Sequence, residues 1–374
     1  MLNAKLWRHF DFWLLGAVIL LCLLGVAMIR SATLTSIDTD LQAQTSRQMI
    51  FASAGLLVVF AFTLIDYRLW ASLATPIYLF LIALLLIVLV IGAATFGAVR
   101  WIDLGIINLQ PSELGKFLTI LTLGNYLANH PGEITKFSFV VKTLIFTSGP
   151  VLLIMAQPDF SACVLYGVIW LTLLWAAGMR MRHLVILGVI AVAVGLAGFL
   201  VALGSPSLRY VADRVLIFFA PGADTTFRDA TYNVNQSLIS VGSGGWFGQG
   251  YGQGSQVQLR FLKVRQTDFI FATIANEFGF VGALVVIALF VLVVIRIYQV
   301  GGQARDLYGR LICFGVGTEL MFEIFSNIGS NLQLLPVTGS PLPFISYGGS
   351  SLLTFLIGIG LVESVALRHK QIEF

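Results

Sequence analysis

Asp268 stands in "KVRQTDFIF" (263–271), an acid at the mouth of one of the most apolar runs in the chain, with Arg260, Lys263 and Arg265 in the eight residues before it. A carboxylate so placed has two uses: it caps a helix by accepting a backbone N–H, or it serves as a base or metal ligand for whatever the cations attract. Clustered Arg and Lys select phosphate through charge-assisted hydrogen bonds; a solvated patch or contact with anionic lipid headgroups is the other reading of those three side chains. Glu113 and Lys116, three residues apart, share a helical face and can pair. Such a pair fixes helix packing or lines a cavity, and ionisable groups inside membranes favour the second. Glu319 and Glu323 are spaced i,i+4, where like charges repel. At least one of them is expected to be protonated or to face a polar cavity, which marks a proton or ion path or a polar contact between helices.

Other chemistries are excluded. Asp268 and Glu277 are nine residues apart, about 13.5 Å of helical rise, beyond the roughly 5–9.5 Å of a glycosidase carboxylate pair. No Gly-rich phosphate cradle occurs, and Gly115-Lys116 precedes Phe117, so no nucleotide cofactor is expected. His9, His130, His183 and His369 lack the i,i+4 partners of a metal site. Cys22, Cys163 and Cys313 fall in apolar runs without paired spacing and read as packing residues. A net charge of +4 gives no reason to expect nucleic acid.

Composition defines the elements that must hold these groups. The chain has 374 residues, 58% hydrophobic and 11% charged, against about 25% charged in ordinary globular proteins. Apolar runs long enough to cross roughly 30 Å of hydrocarbon recur, at 12–29, 48–65, 70–93, 112–128, 138–156, 160–177, 184–203, 270–296, 311–330 and 344–367. The expected fold class is therefore all-α: a polytopic membrane protein of about ten transmembrane helices, with 1–374 as a single membrane domain. The run 12–29 is too long for a signal peptide and lacks a small-x-small cleavage site, so it reads as a retained span.

Lys5, Arg8, Arg68, Lys136, Arg180, Arg182, Arg305, Arg310, Arg368 and Lys370 fall on one side, against Arg30, Arg47 and Arg100 in the short loops opposite. By the positive-inside rule both termini are cytoplasmic. Residues 204–267 then form one large extracytoplasmic loop between the seventh and eighth spans, and structureless loops of that length usually have a function. Its start, "SLRYVADRVLIFFAPG", is amphipathic and expected on the membrane surface. Next, a short helix ending near Gly242 is followed by glycines at 244, 245, 248, 250, 252 and 254, suited to φ > 0 and close backbone approach. "QPSE" (110–113) and "QPDF" (157–160) each open a span with an acid, Glu113 or Asp159, after a helix-starting proline. In "LLPVTGSPLPFISYGGSS" (334–351) three prolines interrupt the backbone before the tenth span, which needs surrounding protein or a water-filled cavity. All of these sets except Glu319–Glu323 converge on the outer face, where ATP and nucleotide sugars are absent. Phosphate-binding cations, a carboxylate and a membrane-edge groove suit transfer from a lipid diphosphate donor.

In "NQSLISVGSGGWFGQGYGQGSQ", "TDFIFATIANEFGFVG" and "NIGSNLQLLPVTGSPLPFISYGGSS" the chain resembles the SEDS family (shape, elongation, division and sporulation) of RodA and FtsW proteins, and "RWIDLGIINLQPSELGK" and "QPDFSACV" extend the likeness. The resemblance implies a ten-span peptidoglycan glycosyltransferase that polymerises lipid II outside the cytoplasmic membrane, works with a class B penicillin-binding protein and uses a divalent metal, Mg or Mn. It assigns Asp268 as the essential acid and a possible metal ligand. Glu113, Lys116, Arg100, Trp101, Asp159, Gln236, Ser237, Ser346 and Tyr347 are assigned as cavity or substrate-binding residues, beside Arg260, Lys263 and Arg265. The chain departs from the family pattern at Lys263-Val264-Arg265-Gln266, which replaces Pro-Glu-x-His; at Asn233, which replaces Gln; and at Gln333, which replaces Gly. The short N-terminus favours the elongation branch, RodA. A lipid II flippase and a non-catalytic scaffold for a transpeptidase are the rival readings.

Overall fold

The computed structural model describes residues 9–36, 38–95, 98–103, 108–204, 216, 218, 228–337 and 339–368. Its helices are α1 Phe12–Thr33, α2 Thr39–Leu64, α3 Tyr67–Ser72, α4 Ala74–Ile91, α5 Pro111–Ala128, α6 Phe137–Met155, α7 Phe160–Ala176, α8 Met181–Gly204, α9 Arg228–Ser243, α10 Ser255–Gln258, α11 Ile270–Gly302, α12 Leu307–Asn331 and α13 Gly349–Leu367. Each expected span lies on one of them except 70–93, which runs from α3 across Leu73 into α4, and among the described residues seven helices are long and apolar enough to cross a membrane. The protein is a multi-pass helical membrane protein.

Sequence explains six of the helix starts. Asp11, Asp38, Asp66, Asp159 and Asp306 each accept a backbone N–H from the first turn of the helix that follows, satisfying donors that apolar surroundings would leave bare. Pro111 opens α5 at the position where its missing N–H costs nothing. Pro158 differs: it precedes the N-cap Asp159 and does not start α7, so the two Gln-Pro stretches are only partly alike.

Two further differences concern backbone. The connection from α4 to α5 holds an antiparallel meander, β1 Ala93–Thr95, β2 Ala98–Asp103 and β3 Asn108–Leu109, so the fold is helical with one small sheet. These strands are too short for period-two alternation to register. The tenth helix starts at Gly349 and not at 344, because residues 342–346 form a turn in which Ile345 and Ser346 donate to the Leu342 carbonyl. The expected surface segment at 207–222 lies outside the described residues apart from Leu216 and Phe218.

Helices α12 and α13 form the centre: 67% and 89% of their most apolar windows are buried, against none for α8, which packs chiefly on α7. α13 lies along α2, while α11 packs on α12 and α1. Inside α11 the helix breaks at Gly279, φ +67°. The Gly-rich loop after α9 enters the break. Gln249 N–H donates to Asn276 O (3.1 Å), Gly250 N–H to Glu277 O (3.0 Å), Phe280 N–H to Gly245 O (2.8 Å) and Val281 N–H to Trp246 O (3.1 Å). The broken helix thereby exchanges internal hydrogen bonds for bonds to the loop, as buried backbone requires. Gly248, φ +80°, and Gly279 face each other so closely that a Cβ on either would strike the other segment's backbone.

Candidate active site

Asp268 does not cap α11. The residue before the helix is Phe269, and no side chain caps it. Its segment is held through its carbonyls instead. Asn331 Nδ2 (2.8 Å) and Asn327 Nδ2 (3.0 Å) both donate to Asp268 O, and Asn327 also donates to Ser340 O at 2.8 Å. Asn331 Oδ1 accepts from Ala272 N–H at 3.1 Å. On the other flank Ser346 Oγ donates to Thr267 O at 2.7 Å and accepts from Leu342 N–H at 2.8 Å, and Tyr347 N–H donates to Gln266 O at 2.9 Å. Ser237 Oγ reaches Asn331 O at 2.9 Å from α9. Asn327 and Asn331, absent from the candidates read from sequence, are the centre of this lattice. Their signal was two asparagines spaced i,i+4 inside a span, in "SNIGSN".

The Asp268 side chain is half-buried and borders a pocket of about 200 Å³ whose walls are Phe218, Asn233, Val234, Val264, Phe269, Gln333, Leu335, Pro336 and Val337. Gly339, φ +71°, keeps side-chain bulk from beside the carboxylate: a Cβ there would lie 3.8 Å from Asp268 Oδ2. Asn233, Val264 and Gln333, where the chain leaves the family pattern, all line this pocket. Val264 (φ +53°) and Gln333 (φ +55°) hold left-handed conformations that suit glycine far better.

The three cations separate. Arg265 is buried and its Nε donates to Ala32 O at 2.7 Å, at the C-terminal end of α1, where a positive charge complements the helix dipole. Burial, and then the charge of Arg260, pulls its guanidinium below the ordinary value, still far above neutrality. Arg260 is exposed at φ +61°, and Lys263 is exposed with its ammonium 5.9 Å from the Tyr232 ring centroid. Both place positive charge at the surface. Gln236 is half-buried on α9, one residue before Ser237.

A second polar group joins the Gln-Pro stretches. Asp159 Oδ2 accepts from Gln110 Nε2 (3.1 Å) and Ser112 Oγ (3.3 Å). Arg100 Nε donates to Gln157 O at 3.0 Å and its guanidinium also donates to Pro158 O, while half-buried Trp101 pairs with Ala93 across the meander. The third group lies deeper. Lys116 Nζ donates to Glu113 Oε2 at 2.9 Å and to Glu323 Oε1, and lies 3.6 Å from Glu319 Oε1. All four side chains are buried. The Glu113–Lys116 and Glu319–Glu323 pairs, separate in the sequence, are one cluster in the fold.

The site therefore belongs to a multi-pass membrane protein with an acid held at a helix mouth beside a pocket, a long glycine-rich loop and a buried ionic cluster. Residues 12–371 match the family described as Cell cycle protein (FTSW_RODA_SPOVE), and the chain belongs to it. It is similar to the probable peptidoglycan glycosyltransferase FtsW of Geobacter metallireducens, 34% identical over 99% of this chain and 98% of that one. It is equally similar, at 34%, to the peptidoglycan glycosyltransferase MrdB of Escherichia coli over 96% and 95% of the two chains. Among solved structures, it resembles a chain of a peptidoglycan synthase complex studied for structural coordination of polymerization and crosslinking, with a TM-score of 0.81, 29% identity, and 97% and 99% coverage. It also resembles the rod shape determining protein RodA of Thermus thermophilus, with a TM-score of 0.71, 28% identity, and 97% and 98% coverage.

Proposed function

We infer that the protein is a peptidoglycan glycosyltransferase that polymerises lipid II on the outer face of the bacterial cytoplasmic membrane, with both termini cytoplasmic. The observation that carries the mechanism is the Asp268 carboxylate beside an open pocket while its own backbone is fixed from α12. Asp268 accepts the proton of the acceptor's sugar hydroxyl as that oxygen attacks the anomeric carbon of the donor. The C–O bond to undecaprenyl diphosphate breaks and the diphosphate leaves with the bonding pair. General-base help of this kind is worth about 10²–10⁴ in rate. Lys263 and Arg260 supply positive charge for the diphosphate.

A divalent ion, Mg or Mn, is part of the proposal. Among the described residues no group of three His, Cys, Asp or Glu forms a metal cage. Asp268 with the side-chain oxygens of Asn233 and Gln333 fits an ion that keeps water and takes its remaining ligands from substrate phosphates. Asn233 Oδ1 is buried without a hydrogen-bond partner, which leaves an acceptor for such a role. When bound, the ion would neutralise charge on the departing diphosphate.

A class B penicillin-binding protein is the proposed partner, and lipids surround the helices. Relatives named for both branches are equally similar to this chain; the elongation role rests on the likeness to RodA. Transport is the rival reading, but the Lys116 cluster is enclosed by packing and offers it no open polar path. Purified protein in detergent, given fluorescent lipid II with Mg or Mn, should form polymer that Asp268→Ala abolishes. Absence of polymer even with the cognate transpeptidase added would sink the enzyme reading, and an active Asp268→Ala would point to another base.

A further inference from the structure

The Lys116 cluster does not balance its charge. One ammonium faces three carboxylates, so full ionisation leaves +1 − 3 = −2 in the centre of the helical bundle. Glu319 is fully buried, and neither of its oxygens has a hydrogen-bond partner; Glu323 Oε2 lacks one as well. Among the described residues no second cation pairs with these carboxylates. From α7, Tyr166 donates to Ser112 O and Asp159 adds another acid; from α13, the Phe355 ring lies 5.9 Å from Lys116 Nζ. Among the described residues no group of three acids, histidines or cysteines is arranged to hold a metal ion. An isolated buried carboxylate takes up a proton before it stays charged in such surroundings, and two carboxylates forced together share protons for the same reason.

We propose that Lys116, Glu113, Glu319 and Glu323 form a proton-binding site in which at least one of Glu319 and Glu323 is a neutral carboxylic acid at neutral pH. The proton comes from water and adds to a carboxylate oxygen, turning an unpartnered acceptor into a donor toward its neighbours. One such proton halves the excess charge to −1, and a second leaves Lys116, held between α5 and α12, paired with Glu113 alone. The site is separate from the Asp268 pocket, and the proposal does not rest on the glycosyltransferase reading. It is tied to the pocket by one helix, since Glu319, Glu323, Asn327 and Asn331 follow one another at i,i+4 along a single ridge of α12 about 18 Å long.

Infrared difference spectroscopy of the full-length protein in lipid at pH 7, in H2O and in D2O, tests this without any turnover. A deuterium-sensitive band of a protonated carboxyl is expected in the wild type and should be lost in Glu319→Gln or Glu323→Gln, with native helicity retained because the amide matches the neutral acid in size. Glu277→Gln and Glu363→Gln, buried acids outside the cluster, should leave that component in place. Lys116→Gln removes the only ammonium and should enlarge the band. No band, or a band that persists in both Glu319→Gln and Glu323→Gln, overturns the proposal. So does loss of helicity in both of those variants.

Discussion

At the scale of single residues, the proposed base is held through its backbone carbonyl. Asn331 satisfies the Asp268 carbonyl and the Ala272 N–H at once. Asn331→Ala leaves the Ala272 N–H without this acceptor, at about 1–3 kcal/mol for a buried group, and the Asp268 carbonyl held by Asn327 alone. It is expected to lower kcat while KM for lipid II changes little, with Asn331→Asp restoring only part, read by steady-state polymerisation. Gln333 is the opposite case. Its left-handed backbone is strained for any residue with a Cβ, so Gln333→Gly should stabilise the fold by about 1 kcal/mol, seen as a higher Tm. If Gln333 also contributes to the pocket, that gain accompanies a higher KM. Asp268 was legible as a lone acid beside cations before an apolar run. Arg265 was legible as a cation but not in its destination, because nothing local indicates that it bonds to Ala32, more than two hundred residues away in the chain.

At the scale of elements, the α9 loop and the break in α11 are two parts of one joint. The hydrogen bonds between residues 245–250 and 276–281 run through backbone, so their geometry depends on glycines and not on neighbouring side chains. Gly279→Ala places a Cβ against Gly248 and Phe247 at φ +67°. We expect a loss of at least about 2 kcal/mol from strain and displaced hydrogen bonds, measured by thermal unfolding in detergent, whereas Gly242→Ala, with open space around it, should be nearly silent. The membrane helices were readable because hydropathy over some twenty residues is a strong local signal. The break was not. Glycine is common in membrane helices, and only the arriving loop distinguishes Gly279 from Gly282. The meander between α4 and α5 escaped for a similar reason, since each strand is shorter than the pattern that would reveal it.

At the scale of the whole molecule, side chains distribute charge by depth: an open pocket at one end of the bundle and a closed ionic cluster within it. The proposed orientation predicts that a single cysteine at Gln249, in the Gly-rich loop, is labelled by a membrane-impermeant thiol reagent in intact cells. One at Arg305, beyond the far end of α11, should be labelled only after the membrane is opened. The opposite pattern would invert the protein and remove lipid-linked chemistry outside the cell. The polar row along α12 has a mechanical consequence. Rotating that helix by one residue, about 100°, would swing Glu319 and Glu323 away from Lys116 and unhook Asn327 and Asn331 from the Asp268 segment together. α12 is keyed like a shaft in a slot: the two sets of contacts resist its turning together.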